Sequence, residues 1–582
     1  MKRQILVVSI FMTCAFAQAQ SQTDVFLPSN SSTQLAESAS FSAAPTQAWV
    51  ARYNGPGNAD DEARAIAVDV AGNVYVTGYN TASDGNRNYA TVKYNSAGVK
   101  QWIAGYNGPG NSHDEAYALM IDGLGNVYVT GYSYGLSGTT DYATLKYNNR
   151  GQRLWVARYN GPASASDTSV AIKVDGSGNV YVTGSSTGSK GNLDYFTIKY
   201  NGAGIKQWTA RYNGPGNSDD YVTALDVDDA GNVYVTGRSI GSSGFYDYAT
   251  IKYNSAGVKM WIARYNGPAQ NHDGANALAV DGFDNVYVTG YTTASNGDTD
   301  YLMIKYNSAG VKQWASRAGY TGSLKKDNPY ALTVDGAGNV YVTGAITNSG
   351  LNYDYKTIKY NNAGVGQGGP GYNAANNNDE AYALAIDDNG NVYVTGRSYN
   401  KNGNYDFATI KYNSTMIQQW VTRYNGSANS HDGAKAITVD GSGNVYITGY
   451  STSSNGTKDY VTIKYLGTGA NSAFSATTDT ERNDESEVNR SETLPSTFHL
   501  AQNFPNPFNP TTTIRFETPA ASHVKLVIYN LAGELVRTLV DGEIAAGFHH
   551  ITFDAKGLAS GIYFYRLEAG SFTAFRKMIL GK

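Results

Sequence analysis

The chain has 582 residues, with 44 Lys plus Arg, 48 Asp plus Glu and one Cys. A net charge of −4 provides no basic field, so the sequence predicts no nucleic-acid partner. The single Cys excludes a disulfide framework, a Cys-rich zinc site and an iron–sulfur cluster, and no later apolar run is long enough for a membrane span.

The N-terminus has the pattern of a secretory signal, which we place at residues 1–19. Lys2 and Arg3 precede a short apolar stretch, and Ala17 and Ala19 follow as small residues suited to cleavage. Residues 20–47 are rich in Ser, Ala and Thr without a clear period, which is typical of a flexible leader.

Residues 48–465 consist of one unit repeated eight times. The string Gly-Asn-Val-Tyr-Val-Thr-Gly, or a near copy, recurs about every 53 residues, with its Tyr at positions 75, 128, 181, 234, 287, 341, 393 and 446. All seven Trp residues fall at one position of the repeat. A period of this length indicates a propeller or another repeat architecture.

Each unit contains four short segments rich in Val, Ile, Thr and Tyr, separated by Gly, Asn and Asp. In the second unit they cover residues 117–122, 126–131, 141–147 and 153–160. Four antiparallel strands per unit predict an all-β fold, an eight-bladed β-propeller of four-stranded blades. An isolated strand that begins near Trp49 precedes the first unit, while the last unit lacks its fourth strand. We therefore expect the N-terminal strand to complete the last blade and close the ring; an open superhelix is the alternative. These units resemble the bacterial SBBP-type β-propeller repeat, a resemblance that implies a fold and not an activity.

The C-terminal part changes in character. Residues 466–497 are polar and predict a disordered linker. Residues 498–582 contain alternating segments at 524–530, 534–540, 548–554, 561–568 and 572–580, which predict a small immunoglobulin-like β-sandwich.

This tail resembles the type A C-terminal sorting domain of the type IX secretion system. The resemblance is carried by the Asn-Pro-Phe-Asn-Pro run at 506–510, by Leu-Ala-Ser-Gly-Ile-Tyr at 558–563 and by Arg-Lys-Met-Ile-Leu at 576–580. It implies that Gly561, Tyr563 and Lys577 belong to the sorting signal, that the secretion machinery is a partner, and that the protein reaches the cell surface or the extracellular space. An ordinary accessory domain is the alternative.

One carboxylate recurs just before the first strand of every unit. It could fix the local turn by accepting backbone N–H groups, or the eight copies could form a ring that holds a cation such as calcium. Turn fixing is the simpler interpretation, because a site for one ligand needs only a few blades. The positions are Asp61, Asp114, Asp167, Asp220, Asp273, Asp327, Asp379 and Asp432.

One segment departs from the repeat. Where other units read close to Arg-Tyr-Asn-Gly-Pro, the fifth has a different run that contains Tyr320, Lys325 and Lys326, and the next unit has Gly368 at the Trp position. We expect either drift or a specialised ligand-binding patch at these three residues.

Known catalytic motifs are missing from the sequence, including the nucleophile elbow, the zincin helix and the phosphate loop. We expect no catalytic residue, no metal and no cofactor, with calcium as the one alternative. The longer loops share one polar face, which suits a glycan or a protein ligand. The predicted function is a non-enzymatic binding, adhesion or display module. An extracellular polysaccharide hydrolase or lyase and a purely structural envelope protein are the alternatives.

Overall fold

The computed structural model describes residues 23–27, 44–320, 325–348, 352–374, 377–467, 498–500, 503, 508, 510–531, 533–570 and 572–581. Within these residues it contains forty strands and no helix. The predicted signal peptide and nearly all of the predicted linker lie outside the described residues. The strands up to the end of the repeats are β1 (Thr23–Leu27), β2 (Gln47–Tyr53), β3 (Glu62–Val68), β4 (Val74–Thr81), β5 (Arg87–Tyr94), β6 (Lys100–Tyr106), β7 (Asp114–Ile121), β8 (Val127–Tyr134), β9 (Thr140–Tyr147), β10 (Arg153–Tyr159), β11 (Asp167–Val174), β12 (Val180–Thr187), β13 (Leu193–Tyr200), β14 (Lys206–Tyr212), β15 (Asp220–Val227), β16 (Val233–Ile240), β17 (Tyr246–Tyr253), β18 (Lys259–Tyr265), β19 (Gly274–Val280), β20 (Val286–Thr293), β21 (Thr299–Tyr306), β22 (Lys312–Tyr320), β23 (Asn328–Val334), β24 (Val340–Thr347), β25 (Tyr353–Tyr360), β26 (Gly371–Tyr372), β27 (Asp379–Ile386), β28 (Val392–Tyr399), β29 (Tyr405–Tyr412), β30 (Gln418–Tyr424), β31 (Asp432–Val439), β32 (Val445–Thr452) and β33 (Lys458–Tyr465).

Each repeat forms one antiparallel sheet whose strands lie side by side in chain order. Seven sheets take their four core strands from one repeat, from β3–β6 to β27–β30. The eighth has the order β31, β32, β33, β2, because the N-terminal strand pairs antiparallel with β33, with Val50 opposite Ile463. The N-terminal strand therefore supplies the fourth strand of the last sheet.

The first strand of each sheet is the innermost one. It contacts the first strand of the next sheet throughout the repeats, and β31 contacts β3. Every first strand also contains a bulge against its second strand, so that one extra residue interrupts the register. A bulge changes the direction of a side chain, which makes this residue a position where repeats can differ in function.

The second strands are buried on both faces because neighbouring sheets cover them. In β8 the run Val127–Tyr134 is apolar or small at nearly every buried position, unlike the alternation of a half-exposed strand. The hydroxyl of the buried Tyr128 donates to Asp122 (3.0 Å). Asp122 also accepts hydrogen bonds from the backbone N–H and the side-chain amide of Asn126. The same bonds recur in the other units, so Asp122 and its equivalents fix the tight turn between the first and second strands.

Trp residues join neighbouring sheets. The Trp155 ring lies between Tyr128 of its own sheet and Tyr200 of the next, and its Nε1 donates to Gly202 O (3.2 Å). The Trp is adjacent to Gly204, which has a φ of +78° and where a Cβ would lie 2.7 Å from the ring. A packing role for the Trp set explains these contacts.

Two parts of the repeat region differ from expectation. Strand β26 has only two residues, since Gly and Pro occupy the segment that has lost its Trp. Part of the predicted leader forms a strand: β1 pairs parallel with β22, with Asp24 opposite Arg317. The outer edge of β22 offers unpaired backbone groups, and this pairing satisfies them. Alternation within the strand gives no signal for it.

The C-terminal part forms two antiparallel sheets over one core. One sheet has the order β34, β35, β38 and the other β37, β36, β39, β40. Leu526, Ile528, Tyr565 and Phe516 are buried between them. All five predicted strands are present, whereas β35 was missed because its Thr-rich alternation is weak. The strands are β34 (His499–Leu500), β35 (Thr511–Thr518), β36 (Ser522–Asn530), β37 (Leu535–Ile544), β38 (Gly547–Asp554), β39 (Gly561–Ala569) and β40 (Phe572–Leu580).

Candidate ligand-binding site

Charged and aromatic side chains concentrate at one end of the innermost strands, on the face of the long loops. They come from four consecutive sheets, those of β27, β31, β3 and β7. In the other four sheets, neither the residue that follows the recurring Asp nor the bulged residue of the first strand is charged. We call these residues the mouth cluster: Glu62, Arg64, Tyr79, Arg87, Glu115, Tyr117, Tyr132, Glu380, Tyr382, Arg397, Lys435 and Tyr450.

Glu115 lies at the centre of one half of the mouth cluster. It is 3% exposed, and its two oxygens accept from different guanidinium groups, Arg87 Nη1 at 2.6 Å and Arg64 Nη2 at 2.8 Å. Arg64 is the bulged residue of β3 and lies over the ring of Tyr117, with its guanidinium carbon 4.5 Å from the ring centroid. Two cations thus share one buried carboxylate across two blades.

The other half of the cluster has the same chemistry with one cation fewer. Glu380 accepts from Arg397 Nη2 and from the Tyr382 hydroxyl, both at 2.7 Å. Arg397 lies between the rings of Tyr382 and Tyr405. Burial, with the neighbouring Glu380 carboxylate, raises the pKa of Tyr382 well above its ordinary value, so this phenol remains a hydrogen-bond donor.

Lys435 and Glu62 connect the two halves. Lys435 Nζ lies 3.6 Å from Glu62 Oε1 and over the ring of Tyr382. Glu62 in turn lies 3.9 Å from Arg64. Burial and the Glu62 charge raise the pKa of Tyr79 to about 12. The cluster is therefore one continuous network of ion pairs and phenol rings.

A cleft of 540 Å³ lies between the loops of the last, first and second sheets, next to this network. Arg87 and Tyr132 belong to both the cleft and the mouth cluster. The volume is in the range typical of small-molecule sites. The cleft is lined by Ala59, Asp60, Thr81, Gly85, Arg87, His113, Tyr132, Tyr134 and Thr457.

His113 is held by the backbone of the neighbouring blade. Its Nδ1 accepts from Arg87 N at 3.1 Å, so the neutral ring carries its hydrogen on Nε2 as a donor. His272 and His431 make the same bond, to Tyr246 N and Tyr405 N, both at 3.2 Å. The three His residues thus have the same structural role at three separate blade boundaries and do not converge.

The Asp that recurs just before the first strand of every unit lies in a local turn. All eight carboxylates are buried, and each accepts at least one backbone N–H group; Asp114, for example, accepts from Gly108 N (2.6 Å) and Tyr134 N (2.9 Å). Among the described residues no group of three or more His, Cys, Asp or Glu could hold a metal ion. These bonds are the ones expected of turn fixing, and a cation-binding role of the eight carboxylates stays a prediction. The residues concerned are Asp61, Asp114, Asp167, Asp220, Asp273, Asp327, Asp379 and Asp432.

The predicted patch in the fifth unit is only partly described. Lys325 is buried, and its ammonium donates to Asn348 O, which assigns it a packing role. Lys326 is exposed. Residues 321–324 and the Tyr320 side chain lie outside what the structure describes, so a binding role of this patch stays a prediction.

The three residues that the resemblance assigns to the sorting signal lie on the last two strands. Gly561 begins β39, and Tyr563 is buried with its hydroxyl donating to Ala559 O (2.7 Å). Lys577 lies on β40 opposite Phe564, with 40% of its side chain exposed. Lys577 is the one of the three whose side chain a partner could contact directly.

The mouth cluster was missed at the level of sequence. The adjacent pairs Asp61-Glu62, Asp114-Glu115 and Asp379-Glu380 are visible, but neighbours in sequence do not show that Glu115 meets cations from another blade. A usable signal exists: Glu occupies this position in three of the eight units, whereas the preceding Asp occupies all eight.

Comparison with known proteins gives two family matches. Residues 48–86, 101–136, 155–191, 207–245, 261–298, 313–352, 367–404 and 419–457 match the model of a β-propeller repeat. Residues 502–581 match the secretion system C-terminal sorting domain.

Two curated relatives match part of the chain. The uncharacterized WD repeat-containing protein L264 of Acanthamoeba polyphaga mimivirus is 25% identical over 34% of this chain. The regulatory protein FlaEY of Caulobacter vibrioides is 33% identical over 18% of it. The matches span only 13% and 12% of the relatives' lengths.

Solved structures are similar at low identity. PorZ, a surface component of the type IX secretion system of Porphyromonas gingivalis, is 12% identical, with 92% of this chain and 70% of that chain covered and a TM-score of 0.36. A protein of unknown function from Dyadobacter fermentans is 9% identical, with 73% and 99% covered and a TM-score of 0.35. Neither similarity bears on what this chain binds.

Proposed function

Because the chain belongs to the β-propeller repeat family and ends in a type IX sorting domain, we propose that it is a non-enzymatic binding module displayed outside the cell. The sorting domain directs export to the cell surface or the extracellular space and engages the secretion machinery. Within the described residues, no helix is long and apolar enough to cross a membrane.

The proposed mature protein is a closed eight-bladed ring followed by an immunoglobulin-like tail, with the signal peptide removed. Contacts between the last and first blades support closure: Trp49 Nε1 donates to Ser96 O, and the Tyr460 hydroxyl donates to Ala90 O, both at 3.1 Å. These are the same bonds that join Trp155 and Tyr142 to their next blades. The shared core of the two tail sheets supports a sandwich.

The one-sided mouth cluster carries the proposal of binding. Blade construction needs the same residues in every unit, and the eight Asp residues before the first strands meet that description. The Glu residues at the second position of the first strands and the cations at the bulged position do not, since they occur only in the four sheets of the cluster, and Arg87 of the cluster borders a cleft. A surface of polar, aromatic and arginine side chains is typical of recognition sites.

The pairing of the glutamates favours binding over hydrolysis. A glycosidase needs two carboxyl groups that face each other across the scissile bond, one of which donates a proton. Here Glu115 and Glu380 are each engaged by arginine, and Glu62 lies near Lys435 and Arg64. None is placed as an unpaired acid, which supports a non-enzymatic role; the alternative of a hydrolase or lyase is tested directly below.

The test uses the secreted full-length protein on a glycan and polysaccharide array, with parallel capture of partners from cell envelopes. We expect a specific ligand whose retention falls when Arg64 and Arg397 are both replaced by Ala. The matched control is Arg238→Ala, because Arg238 lies between Tyr221 and Tyr246 in the same way but outside the cluster. Cleavage of a bound polymer would overturn the non-enzymatic role, and absence of any ligand would favour a structural envelope protein.

A further inference from the structure

We propose that the cleft between the last, first and second blades binds one saccharide unit of an extracellular polysaccharide. The inference rests on the proposed binding function and names the ligand class of that site. The cleft, with its 540 Å³, is lined by residues of the loops and strand ends of these blades, where a polymer can reach it from solvent.

The lining presents donors, acceptors and flat apolar faces together. Arg87 uses one nitrogen for Glu115 and leaves 41% of its side chain exposed. His113 Nε2–H is a donor because Nδ1 is already an acceptor. Asp60 accepts a hydrogen bond from Lys458 N through one carboxylate oxygen (3.0 Å). Among the described residues, no donor is found for its other carboxylate oxygen. Vicinal hydroxyl groups both donate and accept, and they match this mixed set.

Two tyrosines supply the faces on which a sugar ring can lie. The rings of Tyr132 and Tyr134 are 6.4 Å apart at an angle of 72°, and both border the cleft. Tyr combines a large apolar surface with a hydroxyl at its edge, so it can cover the C–H face of a sugar and bond to its hydroxyl groups. A purely apolar ligand would leave Arg87, Asp60 and His113 unsatisfied.

Comparison among blade boundaries shows that this lining occurs once. The boundaries of the fourth and fifth and of the seventh and eighth blades contain His272 and His431 in the same role, yet Tyr246 and Tyr405 stand where the cleft has Arg87. Tyr134 is likewise replaced there, by Thr293 and Thr452. The backbone bond of the His is therefore structural at all three boundaries, while Arg87 with Tyr134 is particular to the cleft.

These equivalents provide variants that the fold already tolerates. Arg87→Tyr with Tyr134→Thr reproduces the side chains found at the other two boundaries. Binding is measured by calorimetry with the full-length protein and defined oligosaccharides from α-glucan, β-glucan, xylan and polygalacturonate. We expect at least one of them to bind, and the double variant to bind about tenfold more weakly or not at all, as expected for loss of a charge-assisted hydrogen bond and an aromatic contact.

A second pair of variants separates folding from recognition. His113→Ala and His272→Ala each remove the imidazole that accepts a backbone N–H, so both should destabilise the fold similarly, but only His113→Ala should weaken oligosaccharide binding. If oligosaccharide binding survives the Arg87 and Tyr134 changes, the cleft is not the binding site, while the proposed binding function still stands. If no oligosaccharide binds and Arg87 is instead needed to capture a protein, the ligand class is wrong. If nothing binds at all, the proposed function itself fails.

Discussion

The buried ion pairs of the mouth cluster give a graded prediction for stability. Glu115→Gln keeps the shape of the side chain but turns an amide toward one of the two guanidinium groups, so one charge-assisted hydrogen bond is lost and the other becomes weaker. Breaking a fully buried pair costs about 3–5 kcal/mol. The Arg64 and Arg87 side chains are 24% and 41% exposed, so water compensates part of the lost charge. We expect a loss of about 2 kcal/mol in the free energy of unfolding.

Two matched variants set the scale. Glu380→Gln should cost about 1 kcal/mol, because Glu380 faces one arginine and the amide can still bond to the Tyr382 hydroxyl. Glu62→Gln should cost less than about 1 kcal/mol, since its cations lie at 3.6 Å and 3.9 Å. Urea unfolding followed by Trp fluorescence measures all three. Equal costs, or a larger loss for Glu62→Gln than for Glu115→Gln, would refute the assignment of Glu115 as the centre of the network.

Three further predictions address the blades and the fifth unit. Trp155→Ala should lower the free energy of unfolding by about 3 kcal/mol and Trp155→Phe by about 1 kcal/mol in urea titrations, because only the first removes the ring between two blades. Burial raises the pKa of Asp61 from 3.8 to about 6, so the folded state binds this proton more tightly than the unfolded chain. Stability from this group should be greatest at low pH and be lost as the pH rises through about 6, and Asp61→Asn should reduce that pH dependence of thermal unfolding. Lys325→Ala should cost about 1 kcal/mol through its lost bond to Asn348, while the exposed Lys326→Ala should leave unfolding unchanged.

The repeat made most of the fold predictable. In the second unit the segments expected at 117–122, 126–131, 141–147 and 153–160 correspond to β7–β10, with ends that differ by at most three residues. The pairing of the N-terminal strand with β33 was also predictable, because the last unit lacked its fourth strand and the N-terminal strand belonged to no other unit. These features follow from local composition and from counting, both of which a single sequence contains.

Bulges and cross-blade contacts were not predictable in the same way. The bulge in each first strand depends on how two strands twist against each other, and the Gly that marks it lies on the partner strand, as Gly78 opposite Ala63 and Gly131 opposite Ala116. The pairing of Arg64 and Arg87 with Glu115 joins residues of two blades, which only the packing of neighbouring sheets brings together. The sequence therefore contained the chemistry of the site as isolated residues, without their geometry.

The restriction of the cluster to adjacent blades has a physical cause. The first strand of each sheet contacts the first strands of the neighbouring sheets, and a buried charge there is costly unless the same or a neighbouring blade supplies its partner. A Glu at the second position of a first strand can therefore be tolerated only together with a cation on the same or the preceding blade, as Glu115 is with Arg64 and Glu62 with Lys435. Charges on distant blades are too far apart to compensate each other. A repeat protein that acquires a charged site thus acquires it over a continuous arc, and the cleft beside Arg87 lies on that arc.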